Sequence, residues 1–265
     1  MKARKTLQDY IEGRNNNFNL LRMVGALTIM FAHAMFITIG DDITFETYPV
    51  KYTLGITTLN LFFVLSGMLV TASWFKHEDV LRYVLSRVMR IVPGLMVVAF
   101  VVPFLIGPFV TSYSISDYFS SPSLWLYWPF TVLLNPDMTL PGVFEGMPND
   151  GVVNAPLWTL RYEAFLYALV VIAGVIGIFK NASLLKMALM SCFAVYVFVS
   201  FLTPLREIAA IDHLMHFGYA FMVGVCFHVY QRYVRLSLFA GLVGLGIALL
   251  VVWQFGIVVG ELLLI

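Results

Sequence analysis

The sequence is poor in charged residues, and this shortage excludes an ordinary water-soluble domain. Only 12% of the 265 residues are Asp, Glu, Lys or Arg, whereas 60% are hydrophobic. Soluble domains average about 25% charged residues, so roughly half of the usual polar surface is missing. We therefore expect lipid, rather than water, to be the main solvent of this chain.

Familiar catalytic and metal-binding patterns are also lacking. No H-E-x-x-H, C-x-x-C or G-x-S-x-G pattern occurs, nor does a glycine-rich phosphate loop. The only two cysteines, Cys192 and Cys226, lie inside apolar runs, so no disulfide framework is expected. His213 and His216 have a spacing that can hold a metal, but with no third ligand nearby no metal site is predicted. The net charge is only +1, and no nucleic-acid partner is expected.

Long apolar runs are what the sequence does contain, and seven of them can cross a bilayer. A bilayer core needs about 20 residues in a helix, and lipid offers no partner for unpaired backbone amides. The predicted spans are Leu20–Ile39, Leu54–Phe75, Ile91–Val110, Leu157–Phe179, Leu184–Leu202, His213–Tyr230 and Leu236–Val259. The predicted fold is an all-α, polytopic transmembrane helix bundle that forms a single domain over residues 1–265.

The basic residues predict a cytoplasmic N-terminus and a multi-pass protein of the cell inner (plasma) membrane. Of the 16 Lys and Arg residues, only Lys51, Arg161 and Arg206 then lie toward the outside, a strong positive-inside bias. The cytoplasmic set is Lys2, Arg4, Lys5, Arg14, Arg22, Lys76, Arg82, Arg87, Arg90, Lys180, Lys186, Arg232 and Arg235.

Two connections between the spans differ from simple polar loops. His77–Arg90 is short, basic and helical in pattern, and is predicted to be a cytoplasmic connection. Thr111–Pro156 is long and external. Within it, Leu124–Leu134 is apolar and rich in Trp and Tyr but too short to span, so we expect it at the interface or dipping back into the bundle.

Polar side chains inside the spans are the first candidates for function, because lipid makes them costly. Arg22 and His33 lie eleven residues apart in the first span. They therefore share one helix face and are separated by about 16 Å of helical rise. Glu163 in the fourth span is predicted at a depth similar to His33, where a carboxylate can stabilise an imidazolium and suit a general base. The alternative for Glu163 is a structural salt bridge with Arg161 or Arg206.

Two further groups of residues have both a structural and a functional interpretation. Asn60 and Ser66 in the second span can serve a substrate or only make interhelical hydrogen bonds. Arg87 and Arg90 either anchor the chain at the inner surface or, together with Arg22, bind the phosphates of a cytoplasmic anion.

These segments, taken in order, resemble the acyltransferase-3 family of bacterial membrane O-acyltransferases. Residues 22–33 (RMVGALTIMFAH) fit its Arg-or-Lys, ten residues, His signature, and residues 60–70 (NLFFVLSGMLV) are similar to its LFFVLSG segment. Residues 87–93 (RVMRIVP) resemble its R-x-x-R-I-x-P, and residues 156–167 (PLWTLRYEAFLY) its W-S-L-x-x-E-x-x-F-Y. Residues 216–224 (HFGYAFMVG) are more weakly similar to a later F-x-x-G segment.

The resemblance implies transfer of an acyl group, most simply acetyl, from cytoplasmic acyl-CoA to a hydroxyl of a cell-envelope glycan or lipid-linked sugar outside. No cofactor would be bound permanently, and acetyl-CoA or another acyl-CoA would be the donor. His33 and Glu163 would be catalytic, with His33 either the general base or the acyl carrier. Arg22, Arg87 and Arg90 would bind the donor, and Asn60, Ser66 and Trp158 would support the acceptor.

The chain departs from the family in its number of spans, since members usually have about ten. We therefore expect that the C-terminal helices of the family are missing here, which leaves open an inactive fragment or a structural membrane subunit. A proton-coupled transporter is the other alternative, because intramembrane His and Glu also relay protons. Transporters are usually built from paired repeats with broken helices, and the sequence shows no internal repeat.

Overall fold

The computed structural model describes residues 6–11, 18–39, 44–47, 50–135, 139–148 and 151–235. The α-helices are α1 (Leu7–Ile11), α2 (Phe18–Ile39), α3 (Leu54–His77), α4 (Val80–Val101), α5 (Gly107–Val110), α6 (Ile115–Ser120), α7 (Pro122–Val132), α8 (Leu160–Val175), α9 (Ala182–Leu202) and α10 (Ala209–Val229). A π-helical turn, Val102–Ile106, joins α4 to α5, and 3₁₀ turns occupy Ala155–Thr159, Ile178–Lys180 and Pro204–Glu207.

The predicted all-α bundle of membrane-spanning helices is confirmed. Six helical segments among the described residues are long and apolar enough to cross a bilayer, namely Phe18–Ile39, Leu54–Lys76, Val80–Val110, Ala155–Val175, Ala182–Ser200 and Ala209–Val229. The seventh predicted span, Leu236–Val259, lies outside the described residues. Large apolar side chains along these helices are exposed, among them Met30, Val97 and Met190, as expected for surfaces that contact lipid.

The third span begins eleven residues earlier than predicted. The proposed connection His77–Arg90 is almost entirely helical, and only Glu78 and Asp79 separate α3 from α4. Asp79 caps α4, because its carboxylate accepts a hydrogen bond from the Arg82 amide at 2.8 Å. The prediction missed this start because hydropathy reports which residues contact lipid, whereas helix formation needs only suitable residues and a cap.

A short β-hairpin, which the sequence analysis did not predict, stands between α2 and α3. Strand β1 (Thr44–Thr47) pairs antiparallel with strand β2 (Val50–Thr53). Thr44 is opposite Thr53, and Thr47 is opposite Val50. The hairpin leads directly into the first residue of α3.

The chain forms two compact units. The first comprises residues 1–29, 44–76 and 169–265, and the second comprises residues 30–43 and 77–168. The unit boundaries pass through α2 and α8, so each of these helices contributes to both units.

In the first unit, α3 and α10 approach each other closely enough to bring backbone against backbone. A Cβ atom built on Gly67 of α3 would lie 2.0 Å from the Phe221 carbonyl oxygen. A Cβ built on Gly224 of α10 would lie 2.0 Å from the Val64 carbonyl oxygen. Small residues at such crossings allow the close van der Waals packing and Cα–H···O contacts that hold helices together in lipid.

Other contacts of the first unit join α1 to the residues after α10, and α9 to α10. Leu7 of α1 donates its amide to the Val234 carbonyl at 2.8 Å, just beyond the end of α10. The Leu7 side chain packs in a buried cluster with Leu65 and Met68 of α3. Along α9 and α10, the rings of Tyr196 and Tyr219 stack with centroids 4.5 Å apart.

In the second unit, the segment after α5 folds against α4 and its π-helical turn around a core of its own. Its fully or nearly buried members are Tyr118, Leu124, Tyr127, Leu140, Val143 and Val153. The Tyr118 hydroxyl donates to the Pro103 carbonyl at 2.7 Å, inside the π-helical turn where the backbone ladder is irregular. Burial, with Tyr127 nearby, raises the pKa of Tyr118 to about 12, so this hydroxyl keeps its proton at neutral pH.

Helix α7 accounts for the apolar piece that was predicted as Leu124–Leu134. Leu124 and Tyr127 are completely buried, whereas Trp125 is 57% exposed. The Tyr127 hydroxyl accepts a hydrogen bond from the Asn154 amide at 2.6 Å. This apolar piece is therefore a packed element of the second unit, anchored by one face of α7.

Candidate functional site

Helix α2 carries both polar residues of the first predicted signature. It runs without interruption from Phe18 to Ile39, so the eleven-residue spacing of Arg22 and His33 is a helical spacing. Both side chains are half-buried. A histidine held part-way along an apolar helix is costly in lipid unless it has a specific partner or role.

The first two family-like segments touch each other in the first unit. A Cβ built on Gly25 would lie 2.7 Å from the ring of Phe62. Gly25 belongs to the segment RMVGALTIMFAH, and Phe62 belongs to NLFFVLSGMLV. Gly25, which lies between Arg22 and His33, thus lets α3 approach this part of α2.

Arg87 is enclosed by two tyrosine rings of the second unit. Its guanidinium carbon lies 5.9 Å from the ring centroid of Tyr83 and 5.7 Å from that of Tyr167. Its Nε donates to the Ser86 hydroxyl oxygen at 3.2 Å. A guanidinium within about 6 Å of an aromatic centroid gains a cation–π attraction. The side chain is half-buried, so Arg87 is held in a defined place rather than extended into solvent.

Arg90, the second arginine of the same motif, is exposed. It lies three residues, or about one helical turn, after Arg87 on α4. The two residues that the sequence treats alike therefore differ in environment, since Arg87 packs between rings and Arg90 faces outward.

Glu163 is half-buried in the first turn of α8 and receives a hydrogen bond from the Tyr167 hydroxyl, one turn later. The phenol proton can reach it because residues four apart lie above one another on a helix. The predicted partner of Glu163 was His33. Both residues belong to the second unit, and their direct pairing stays a prediction.

The alternative for Glu163, a structural salt bridge with Arg161 or Arg206, also stays a prediction. The Arg161 guanidinium lies over the ring of its neighbour Tyr162 at 4.8 Å and donates to that hydroxyl at 3.0 Å. Trp158, the predicted acceptor support, meets the same ring edge-on with centroids 5.8 Å apart. Tyr162 therefore contacts both Arg161 and Trp158, and all three residues lie close to Glu163 in the sequence.

Asn60 and Ser66, both on α3, are buried in the first unit with exposures of 8% and 5%. Within the described part of the chain, the Asn60 Oδ1 atom is buried without a hydrogen-bond partner. A buried carbonyl left unpaired costs about 1–3 kcal/mol. The Asn60 Oδ1 atom is therefore suited to accept a hydrogen bond from a bound molecule.

Direct contacts link several of the predicted site residues. Arg87, Tyr167 and Glu163 form one continuous chain of contacts in the second unit. His33, Arg90 and Trp158 belong to the same unit, whereas Arg22, Asn60 and Ser66 belong to the first.

Two tyrosines of this chain of contacts were missed as site residues. Tyr83 was read as part of a connection, and Tyr167 was quoted as the end of a motif without a role. Their signal is visible in hindsight, because each lies four residues from a charged candidate: Tyr83 precedes Arg87, and Tyr167 follows Glu163.

His213 and His216 of α10 pack on the same aromatic ring. His213 stacks on Phe217 at 6.0 Å between centroids, and His216 meets the same ring edge-on at 5.7 Å. In the part of the chain that the structure describes, no group of three or more His, Cys, Asp or Glu side chains is placed to hold a metal ion.

Comparison with known proteins agrees with the resemblance carried by the motifs. The sequence model of the acyltransferase-3 family, described as an acyltransferase domain, matches residues 15–263. The chain belongs to the acyltransferase-3 family. The predicted family and the predicted multi-pass membrane bundle are thereby confirmed.

One curated relative adds support over a shorter stretch. Nodulation protein 10 of Rhizobium leguminosarum bv. viciae is 32% identical over 90 residues, which are 34% of this chain and 24% of that protein. The match thus spans about a quarter of the length of the relative. No solved structure matches the chain.

Proposed function

We propose that this protein transfers an acyl group, most simply acetyl, from acyl-CoA to a hydroxyl of a cell-envelope glycan or lipid-linked sugar across the inner membrane. Membership of the acyltransferase-3 family supports the reaction class. The donor, the acceptor and the roles of individual residues are the substance of the proposal.

The observation that carries the proposal is His33, a half-buried imidazole on a membrane-spanning helix. Few side chains exchange a proton near neutral pH, and histidine is the one that does so without a large environmental shift. Acyl transfer to a hydroxyl requires such a group, because a neutral hydroxyl is a poor nucleophile.

In the simplest reaction, His33 accepts the proton of the acceptor hydroxyl while the hydroxyl oxygen attacks the thioester carbonyl carbon. The C–S bond then breaks, the sulfur leaves with the bonding electrons, and the imidazolium returns its proton to the thiolate. If His33 is instead the acyl carrier, a ring nitrogen first displaces the thiol and the acceptor oxygen then displaces that nitrogen. Both routes give the same ester and free CoA.

The residues proposed to bind the donor are Arg22, Arg87 and Arg90. Guanidinium groups bind phosphate oxygens in a bidentate manner, and CoA carries several phosphates. Helical rise places Arg22 about 16 Å from His33, a separation comparable to a pantetheine arm. With a cytoplasmic N-terminus, the phosphates would stay inside while the thioester reaches His33.

The residues proposed to serve the acceptor are Glu163, Asn60, Ser66 and Trp158. Glu163 would stabilise the His33 imidazolium as it forms. The buried Asn60 oxygen is available for a hydroxyl proton, and the Trp158 ring offers an apolar face of the kind on which sugars pack.

The test is the acyl content of envelope glycans in cells that carry the unmodified gene, no gene, or His33→Ala. We expect ester-linked acyl groups, detected by mass spectrometry and lost on mild alkali, only with the unmodified protein. The mass difference also identifies the acyl group. His213→Gln is the matched control, since it removes another half-buried imidazole from a span while leaving acylation intact.

Membrane abundance of each variant must be equal for the comparison to hold, and it is measured on the same cells by immunoblotting. Full acylation with His33→Ala would exclude His33 from the chemistry. Unchanged glycans upon deletion of the gene would contradict the proposed acceptor class.

A further inference from the structure

We propose that Tyr167 is a positioning residue, which holds the Glu163 carboxylate in its working orientation while its ring lies against the donor-binding Arg87. This inference rests on the proposed function. It concerns a residue that no part of the proposed reaction uses directly.

The hydroxyl of Tyr167 is bonded to the Glu163 carboxylate. It donates a hydrogen bond to the Glu163 Oε1 atom from one helical turn away. The Tyr167 side chain is only 4% exposed, so water does not compete freely for this bond. A charge-assisted hydrogen bond in such surroundings is stronger than a neutral one, and it fixes the direction of the carboxylate.

The ring of Tyr167 lies against Arg87. The Arg87 guanidinium carbon lies 5.7 Å from its centroid, on the other helix of the pair. A tyrosine ring presents a negative face to such a cation. The Tyr167 side chain therefore contacts both Glu163, which is proposed to serve the acceptor, and Arg87, which is proposed to bind the donor.

The backbone of Tyr167 is fixed to α4. The Tyr83 hydroxyl donates to the Tyr167 carbonyl oxygen at 3.1 Å, and Tyr83 is itself 3% exposed. The Tyr83 ring also lies 5.9 Å from Arg87. Tyr83 thus fixes the position of the Tyr167 backbone relative to Arg87. The Tyr167 hydroxyl in turn fixes the orientation of the Glu163 carboxylate.

The chemical consequence is that Glu163 is oriented by a fixed neighbour rather than by the substrate. A carboxylate that must support a developing imidazolium gains most when it is already in place before the reaction starts. We therefore expect Tyr167 to act on turnover through Glu163, and on donor affinity through its ring.

The experiment separates the hydroxyl from the ring. Purified protein in nanodiscs is assayed with acetyl-CoA and an envelope-glycan fraction from cells lacking the gene. Because the phenylalanine ring remains beneath Arg87, Tyr167→Phe should lower kcat about tenfold to a hundredfold yet leave the KM for acetyl-CoA within about twofold. Tyr167→Leu also removes the ring and should raise that KM about fivefold.

A double-mutant cycle shows whether Tyr167 acts through Glu163. Glu163→Asp keeps the charge but shortens the side chain, so the bond to Tyr167 is lost in that variant as well. In the Glu163→Asp background, Tyr167→Phe should then change kcat by less than about twofold. Tyr162→Phe is the matched control, since Tyr162 is on the same helix, is 5% exposed and loses a hydroxyl bonded to Arg161 instead.

Three outcomes would overturn the positioning role: an unchanged kcat in Tyr167→Phe, an equal loss in both Glu163 backgrounds, or an equal loss in Tyr162→Phe. Each would mean that Tyr167 only packs α8 against α4. Thermal unfolding of every variant accompanies the kinetics to detect a loss of folded protein. Absence of acyl transfer by the unmodified protein would contradict the proposed function itself, and so would be distinguished from failure of the positioning role.

Discussion

The two compact units use opposite means to hold their helices together. In the first unit, Gly67 and Gly224 bring the backbones of α3 and α10 into direct contact. In the second unit, tyrosine hydroxyls cross between elements to backbone carbonyls, as Tyr118 does to Pro103 and Tyr83 does to Tyr167. One interface depends on the lack of a side chain, and the other depends on a long polar one.

The difference separates a rigid framework from a site that can carry chemistry. Glycine crossings in lipid gain close packing but offer no proton and no charge. Tyrosine crossings leave hydroxyls and rings beside Arg87 and Glu163, where they can orient charged groups. We therefore expect substitutions at the glycine contacts between α3 and α10 to act mainly on folding, and those beside Arg87 and Glu163 to act mainly on turnover.

The largest effect is expected at Gly67. In Gly67→Ala, the new Cβ atom would lie 2.0 Å from the Phe221 carbonyl oxygen, which as a backbone atom cannot rotate away. The α3–α10 contact must then open, and overpacking of this kind costs about 3 kcal/mol or more. Thermal unfolding of the detergent-solubilised protein, followed by size-exclusion chromatography, measures the loss.

The control for this substitution is Gly94→Ala on α4. A Cβ at Gly94 meets nothing within 4 Å, so only the better helix propensity of alanine should be felt. Equal thermal stability of the two alanine variants would contradict the backbone contact between α3 and α10.

A smaller effect is expected from Tyr118→Phe in the second unit. Removing the hydroxyl leaves the buried Pro103 carbonyl without this donor, which costs about 1–2 kcal/mol but leaves the ring and its core in place. The same thermal-unfolding measurement applies, with Tyr113→Phe as the control because Tyr113 is 45% exposed. A loss as large as that of Gly67→Ala would remove the contrast between the two units.

The smallest change in stability, and the one of opposite sign, is expected at Asn60. Its buried Oδ1 atom has no partner among the described residues, so Asn60→Leu should leave the substrate-free protein equally stable or more stable by up to about 1 kcal/mol. Acyl transfer should nevertheless fall, because the acceptor hydroxyl can no longer donate a hydrogen bond to the Asn60 side chain. Thermal unfolding and transfer rates are measured on one preparation, and a destabilised but fully active variant would show that Asn60 is structural.

The sequence predicted the six spans of the described residues well because hydropathy measures contact with lipid, which is what a span requires. The same measure failed at the start of α4, where Arg82, Arg87 and Arg90 made a continuous helix look like a connection. It also missed the hairpin Thr44–Thr53. The buried core around Tyr118 and Tyr127 was not predictable either, since it depends on contacts between segments distant in sequence.

For the candidate site, spacing along one helix was readable and contact between helices was not. Arg22 and His33 could be placed on one face because both belong to α2. The enclosure of Arg87 depends on Tyr167, eighty residues later, and no local pattern shows it. Likewise, the glycine in LFFVLSG was visible as a motif, but its reason is the Phe221 carbonyl on another helix.

Transfer of an acyl group across the membrane is tested most directly in sealed proteoliposomes with radiolabelled acetyl-CoA on one side and envelope glycan on the other. We expect labelled glycan with the unmodified protein when donor and acceptor are on opposite sides, and none with His33→Ala. Labelling only when both are on the same side, or undiminished labelling with His33→Ala, would contradict a reaction in which His33 serves a thioester delivered from the opposite face.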